Sequence, residues 1–451
     1  MDALQETKHW LKNSITLKLL VIGILVLVML IPTEMIKSLI NERSQNCQQV
    51  MEEVTNKWGS RQTITGPILT IPYKTVKVED GKEVEYLSYA HFLPEKLNVT
   101  GHINPEIRNR SIYKVILYNT KLAVSGGFVK PDFMSLNIDP KCALWDEAFI
   151  TIGIPDMRGI KKDIEFDWNN QKYQCKPGVL NKQIIQSGIN TKVAVNPDSS
   201  VHNFNFSVNL NGSEYLGFIP IGKETHAKLE STWASPGFSG AFLPEPRTIK
   251  SSGFTADWNI LYLNRNYPQQ WTSTDSHEIQ SSAFGVELVY PVDHYQKSTR
   301  AAKYAVMFLF LTFLVFFITE IIKKSRIHPV QYLLVGIALI IFYTLLISLS
   351  EYLGFNIAYL IASMATISLI TGYAMSVVKN QKACLSIGAF LLALYGFLFV
   401  LLQLEDLSLL IGSIGLFIIL AIVMRVSRKI DWYSPLSSKN QPATEPIEAN
   451  D

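Results

Sequence analysis

One segment of this chain has the spacing of a phosphate-binding loop. Gly217, Gly222 and Lys223 fit the pattern Gly-x4-Gly-Lys, in which backbone amides and the lysine hold phosphate groups. The next residue is Glu224, whereas magnesium binding in such loops needs Ser or Thr at that position. The residues between the two glycines are also typical of a strand. We therefore interpret the match as a coincidence.

The other residue types that support catalysis are not grouped along the chain. The eight histidines are never spaced for metal binding with one another or with a cysteine. Ser239 lies in a Gly-Phe-Ser-Gly sequence, which lacks the Gly-x-Ser-x-Gly of a nucleophile elbow. The sequence therefore predicts no catalytic residue, no cofactor and no metal site, and hence a protein that is not an enzyme.

Three polar residues near the junction of two apolar segments are the candidates for a functional site: Glu351, Asn356 and Tyr359. Carboxylates inside a membrane usually carry a function. Glu351 is expected at the level of the lipid headgroups, which favours a turn-capping role over a role in chemistry on a lipid headgroup.

Apolar segments at both ends of the chain determine its class. Hydrophobic residues make up 48% and charged residues 18% of the 451 residues, but the charges concentrate in the middle. Each apolar segment approaches the roughly 20 residues that a helix needs to cross a bilayer. The six predicted spans are residues 15–36, 304–322, 332–349, 357–378, 383–402 and 407–424. The first has no signal-peptidase site after it, so we interpret it as an uncleaved anchor.

The positions of Lys and Arg predict the orientation of these spans. Basic residues lie before the first span, after the second, fourth and sixth, and are missing from the two other short loops. The positive-inside rule then places both termini in the cytoplasm and residues 37–301 outside it. Lys18 is expected to reach the headgroups, and Glu320 to pair with Lys323 or Lys324, which are within helical reach.

The exported region is predicted to be a β-rich, antiparallel sandwich on a helical stalk. Residues 37–58 have helical spacing and continue the first span, and residues 59–301 have short alternating runs typical of strands. The alternation is clearest over residues 201–210, which end at an Asn211-Gly212 turn. The other predicted strands are residues 68–73, 111–118, 121–128, 164–168, 215–221 and 284–290. One sandwich or two modules, and a disulfide or two free thiols at Cys142 and Cys175, both remain open.

The remaining parts of the chain complete the predicted organisation. Residues 1–14 form a cytoplasmic N-terminus, residues 302–424 a five-helix bundle, and residues 425–451 a largely disordered cytoplasmic tail. The net charge is only +3, which argues against a nucleic acid partner. The expected partners are membrane lipids and an unknown component of the envelope.

Several long segments resemble those of the CreD family of bacterial inner-membrane proteins. They are residues 65–73 (TGPILTIPY), 238–259, 284–304 and 328–359, with 430–433 (IDWY) after the last span. The resemblance implies a Gram-negative inner membrane, a periplasmic exported domain, and a role in envelope integrity, stress response and colicin tolerance. It supplies no catalytic residues.

Three hypotheses for the function follow. The first is a non-enzymatic envelope protein whose periplasmic domain binds a partner while the bundle anchors or transduces. The second is a transporter or flippase for a lipid or hydrophobic small molecule, because five helices exceed what an anchor needs. The third is an enzyme that uses Glu351 on a lipid headgroup.

Overall fold

The computed structural model describes residues 15–80, 82–288, 294–323, 325, 327–378, 380–404 and 407–428. The predicted N-terminal segment, residues 1–14, and nearly all of the predicted tail lie outside these ranges. The chain divides into two compact units. One consists of Met1–Cys47 with Val292–Asp451, and the other of Gln48–Pro291.

Seven α-helices are described, one before the strands in the sequence and six after them. They are α1 (Ile15–Trp58), α2 (His294–Lys303), α3 (Ala305–Lys323), α4 (Pro329–Leu353), α5 (Phe355–Val378), α6 (Gln381–Gln403) and α7 (Ser408–Ser427). Five of them, α1 and α3 to α6, are long and apolar enough to cross a membrane. In α7 the apolar stretch is the shorter Leu410–Arg425, so its role as a sixth span stays a prediction. The predicted helical stalk is continuous with the first span in α1.

Seventeen strands are described between α1 and α2 in the sequence. They are β1 (Gln62–Glu79), β2 (Lys82–Phe92), β3 (Lys96–Arg110), β4 (Tyr113–Val129), β5 (Phe149–Gly153), β6 (Glu165–Trp168), β7 (Gln171–Gln174), β8 (Lys176–Pro177), β9 (Gly188–Lys192), β10 (Val201–Ser213), β11 (Tyr215–Phe218), β12 (Glu224–Ser231), β13 (Pro236–Gly240), β14 (Arg247–Lys250), β15 (Gly253–Leu261), β16 (Gln270–Thr272) and β17 (Phe284–Leu288).

These strands form two sheets that enclose one hydrophobic core. The first sheet has the order β13-β17-β11-β1-β5-β9-β8, with β2 on β1 and β16 on β2; the second is β14-β15-β12-β3-β4-β10-β6-β7. The pairing is mostly antiparallel, but β1 pairs with β11 and β3 with β12 in parallel. A single cluster of buried side chains takes residues from both sheets. The β-rich prediction is confirmed, and the shared core favours one sandwich over two modules.

The alternation predicted for β10 is present, but its predicted end is wrong. Phe204, Phe206 and Val208 are buried, while the residues between them are exposed. Asn211 and Gly212 do not form a turn, because β10 keeps its pairing with β4 as far as Ser213. Gly212 instead provides space, since a Cβ there would lie 2.3 Å from the Tyr118 hydroxyl.

Two other predicted strands are merged in the structure. Except for residues 111 and 112, which precede it, the segments 111–118 and 121–128 belong to one strand, β4, which pairs without interruption with β10 over Ser213 to Val201. Of the residues between the two predicted strands, Asn119 is exposed and Thr120 buried, and this alternation continues to Ser125. In a strand with one solvent-exposed face, two consecutive polar residues do not interrupt the hydrogen-bonded pairing with the neighbouring strands.

The helical unit is held to α1 by a narrow apolar seam. Ile15, Ile22 and Met29 recur every seven residues and pack in one cluster with residues of α3, α4, α5 and α6. Such spacing places the side chains on one stripe of a helix. Met29 also lies against Gly336, where a Cβ would be 3.1 Å from its sulfur.

Lys18 lies on the same side of α1 and forms a buried ion pair, which was not predicted. Its ammonium bonds to Glu320 on α3, whose side chain is fully buried. Glu320 also accepts bonds from the Tyr332 hydroxyl at 3.0 Å and from the Ile327 amide at 2.9 Å. The structure thus gives Lys18 a protein partner, and the prediction that it reaches the headgroups stays a prediction. Lys323, a predicted partner of Glu320, is exposed, and Lys324 lies outside the described residues.

His91 is the clearest buried titratable group of the β-sandwich. Its ring is 2% exposed and its Nδ1 lies 3.0 Å from the Thr70 hydroxyl. Burial penalises the charged imidazolium and lowers the pKa of His91 to about 4. Burial also lowers the pKa of His202.

The depressed pKa of His91 predicts an acid-sensitive β-sandwich. The unfolded chain binds a proton near pH 6.5, whereas folded His91 does so only near pH 4. The contribution of His91 to the free energy of unfolding is therefore fully present above pH 6.5. It falls by about 3 kcal/mol as the pH drops from 6.5 to 4. Unfolding of the full chain in detergent at pH 7 and pH 4.5 measures the loss. His91→Gln is expected to show a smaller loss than the natural protein, and His102→Gln, an exposed histidine on β3, an unchanged one.

The Lys18 and Glu320 pair predicts an asymmetric effect of its two substitutions. Lys18→Met leaves a fully buried carboxylate without its cation and is expected to cost about 3–5 kcal/mol of stability. Glu320→Gln is expected to cost less, because the lysine is 20% exposed and can turn towards solvent. The double substitution is expected to recover most of the loss.

Thermal unfolding in detergent compares these variants. Lys37→Met is the matched control, since Lys37 pairs with the exposed Glu34 on the same helix and is expected to cost less than about 1 kcal/mol. Equal destabilisation by Lys18→Met and Lys37→Met would contradict the assignment.

Candidate functional site

The carboxylate predicted as a functional candidate connects two helices of the bundle. Glu351, near the end of α4, accepts a hydrogen bond from the Tyr295 hydroxyl of α2 at 3.0 Å. Glu351 is only partly buried. Its carboxylate therefore has a structural partner on the helix that leads into the bundle.

The other two predicted candidates lie at the start of α5 and bond to α6. The Gln403 amide donates to Asn356 Oδ1 at 2.7 Å, and the Tyr359 hydroxyl donates to the Tyr395 carbonyl at 2.7 Å. Glu351, Asn356 and Tyr359 thus have three different partners. The structure brings them to one end of the bundle but does not direct them at a common point.

The short helix α2 strengthens this end of the bundle. Lys297 donates to the Gln403 side chain at 3.2 Å, and Gln403 in turn holds Asn356. Arg300 donates to the carbonyls of Leu401 and Leu404, at 3.2 and 2.7 Å. Carbonyls at a helix C-terminus lack intrahelical partners, so the guanidinium stabilises the end of α6.

A groove in the β-sandwich provides a more convergent polar site, which sequence reasoning missed. Its volume is about 350 Å³, within the range of small-molecule sites. The lining consists of an aromatic ring, four asparagines, two lysines, a threonine and a leucine. They are Trp58, Asn104, Asn119, Thr120, Lys121, Lys161, Asn209, Leu210 and Asn211.

Three neighbouring strands align the asparagines of the groove. Asn119 of β4 lies opposite Asn104 of β3 on one side and opposite Asn211 of β10 on the other. Two residues along the strands, Lys121 lies opposite Asn209. Because side chains alternate between the faces of a strand, Asn119 and Lys121 project on the same face. The register therefore creates two adjacent rows of polar side chains.

The C-terminal end of α1 and a loop contribute the rest of the groove. The Trp58 indole N–H donates to the Tyr118 carbonyl at 3.2 Å, which attaches this helix end to β4. Lys161 Nζ is 5.0 Å and Arg108 Cζ 4.0 Å from the centre of the indole ring. These distances are those of cation–π contacts. The Lys161 amide also donates to the Asn209 carbonyl at 3.0 Å, so the loop is fixed to β10.

A buried hydrogen-bonded cluster holds the two parts together. Asp156 accepts bonds from the Ser60 amide at 2.9 Å and from the Arg158 guanidinium at 2.8 Å. Burial opposes ionisation, but the bonds from Arg158 and Ser60 outweigh it and lower the pKa of Asp156 to about 2. Gln62 links this loop to the Asn211 carbonyl at 3.3 Å. Gly59, with φ of +146°, allows the close approach, since a Cβ would lie 2.6 Å from that carbonyl.

The groove has the chemistry of a binding site. Its four amides supply both donors and acceptors, and its two lysines supply positive charge without an acidic residue in the lining. Asn104 donates to Asn119 at 3.2 Å, which orients both amides. Asn211 is 2% exposed and also lines the groove. Within the same residues, no three His, Cys, Asp or Glu side chains are placed to hold a metal ion.

Part of this site had a signal in the sequence. The alternation in β10 predicted an exposed row of asparagines that includes Asn209. Strand register determines which residues lie beside that row, and tertiary contacts bring Trp58 and Lys161 to the groove. Neither register nor tertiary contacts can be inferred from local sequence periodicity.

Comparison with known proteins places most of the chain in one family. A family model described as inner membrane protein CreD matches residues 14–433. Inner membrane protein CreD of Escherichia coli (strain K12) is 34% identical over 418 residues, which cover 91% of this chain and 92% of that protein. The chain therefore belongs to the CreD family of inner-membrane proteins.

Proposed function

We propose that this protein supports cell envelope integrity and the envelope stress response, including tolerance to colicins and antibiotics, by non-enzymatic binding through its β-sandwich. The observation that carries the proposal is the polar groove of Trp58, Asn119 and Lys161 on a sandwich with its own core. The bundle then anchors the sandwich or transmits its binding state. The partner is an envelope component, and membrane lipids surround the helices.

The proposal includes an orientation in the inner membrane. The sandwich lies in the periplasm and both termini lie in the cytoplasm. The basic residues flanking the spans support this orientation. In this orientation Lys297 and Arg300 of α2 lie at the periplasmic end of the spans, where the positive-inside rule disfavours basic residues. Both side chains are hydrogen-bonded to α6, so they count less against the orientation than unbonded charges would.

A second candidate, a transporter or flippase for a lipid or hydrophobic small molecule, is supported by buried hydroxyls in the bundle. Thr312 and Tyr343 are 1% and 3% exposed, and their hydroxyls have no hydrogen-bond partner among the described residues. An unpaired hydroxyl in an apolar setting is unfavourable, so it indicates a bound water or a polar ligand group. Movement of a lipid or dye across liposomes that contain the purified protein is the test. Its absence in both directions would remove this candidate.

The proposed orientation predicts which thiol reacts from outside. Cys142 is a free, partly exposed thiol of the sandwich, and Cys384 is buried in the bundle. Cys175 is also free, but burial raises its pKa to about 11, so little of the reactive thiolate is present at neutral pH. Cys47 also lies in the exported region, so the test is made in a Cys47→Ser background. A membrane-impermeant maleimide is expected to label spheroplasts that express this variant, and to label spheroplasts that carry Cys142→Ser in addition much less. Label on Cys142 only after lysis would contradict the orientation.

Deletion of the gene and complementation test the proposed function. Loss of the protein is expected to increase sensitivity to cell-wall antibiotics and detergent. The full chain and a version truncated after residue 291, which retains α1 and the sandwich, are both expected to restore resistance.

The controls separate the competing functions. Glu351→Gln in the full chain is expected to restore resistance, since Glu351 has a structural partner; failure would favour chemistry at this carboxylate. Immunoblots establish that each protein accumulates. Rescue by the full chain alone, at equal protein levels, would favour the transporter. Unchanged sensitivity after deletion would contradict a role in envelope integrity.

A further inference from the structure

We propose that the groove binds a sugar that carries a carboxylate or phosphate group, an inference that rests on the binding function proposed above. The groove is defined by the nine residues that begin with Trp58 and end with Asn211. Its rows of amides, its two lysines and its size together select this ligand class.

The amides match the hydroxyl groups of a sugar ring. Each asparagine offers an acceptor oxygen and two donor hydrogens, and a sugar hydroxyl both donates and accepts. Asn104 and Asn119 use one donor and one acceptor on each other, which leaves Asn104 Oδ1 and both Asn119 Nδ2 hydrogens for a ligand. Asn209 and Asn211 line the same groove, and their amides offer further donors and acceptors to ligand hydroxyls.

The charges of the groove select an anionic ligand. Lys121 and Lys161 are both exposed, and neither forms an ion pair with a carboxylate among the described residues. The nearby Arg108 differs, since it is paired with Glu106 at 2.8 Å. Two ammonium groups without acidic neighbours in the lining favour a carboxylate or phosphate oxygen.

The walls of the groove favour a ring rather than a flexible chain or a free ion. A volume of about 350 Å³ exceeds what a simple anion needs and suits one or two sugar rings. Trp58 supplies an aromatic wall that Arg108 and Lys161 also contact, and its bond to the Tyr118 carbonyl holds the indole in place. Lys161 is fixed through its backbone to Asn209, so both sides of the site are preorganised.

Calorimetry with the purified full chain in detergent tests the proposal. The probe is N-acetylmuramic acid, and N-acetylglucosamine, the same ring without the lactate carboxylate, is the charge control. N-acetylmuramic acid is expected to bind saturably and at least about tenfold more tightly than N-acetylglucosamine, the effect of one hydrogen bond to a charged group.

Substitutions assign any binding to the groove. Lys161→Met and Asn209→Ala are each expected to lower the affinity about tenfold. Matched controls lie on the same sheet outside the groove: Asn205→Ala on β10 and Lys96→Met on β3 are expected to leave it unchanged. Lys161 is exposed and Asn209 is half-buried, and thermal unfolding establishes that both variants are folded.

Several results would overturn the proposal. One is the absence of saturable binding of N-acetylmuramic acid. Another is an equal affinity for lactate or inorganic phosphate, which would mean an adventitious ion only. A third is an equal loss of affinity in the groove variants and the control variants. Complementation separates this failure from that of the proposed function. A chain that binds no sugar, with a truncated version that still restores resistance, leaves the binding function standing and removes only the sugar. Sugar binding by the chain, together with failure of the truncated version to restore resistance, would support the sugar site and contradict the proposed function.

Discussion

The hydrophobic core shared by the two sheets is the constraint on which the sandwich depends. Burying one face of every strand fixes its register, because a shift of one residue would expose the apolar set. In β10 this requirement buries Phe204, Phe206 and Val208, and so turns Asn209 outward. The position of the polar groove is therefore a consequence of the core beneath it.

The sequence predicted the architecture better than it predicted the site. Apolar length and strand alternation are local properties, and they correctly indicated helices at both ends and a β-rich region between them. Register is not local. The Asn211-Gly212 pair has the composition of a turn, but continued pairing with β4 overrides that preference and places Asn211 beside Asn119. Trp58 joins the site only because α1 ends against β4.

Burial of charge explains the organisation of the helical unit. A lysine near the start of an apolar helix predicts a headgroup contact, but Lys18 shares a side of α1 with Ile15 and Ile22, which pack into the bundle. A lysine directed into an apolar interior needs a carboxylate partner, and Glu320 is that partner. Glu320 is itself stabilised by the hydrogen bonds it accepts from the Ile327 amide and the Tyr332 hydroxyl. The predicted candidates Glu351, Asn356 and Tyr359 have a comparable structural role at the other end of the bundle. Their partners on α2 and α6 were not visible in the sequence because they lie far away along the chain.

The groove residues have the chemistry of polar recognition. Amide side chains do not titrate. Lys121 and Lys161 are exposed, and the lining contains no carboxylate, histidine or thiol that could accept a proton. Asp156, the nearest buried acid of the supporting cluster, is committed to Arg158 and Ser60 and has a pKa of about 2. A base that is ionised so firmly is a poor proton acceptor. The residues that line the groove therefore suit the proposed binding of an anionic polar ring.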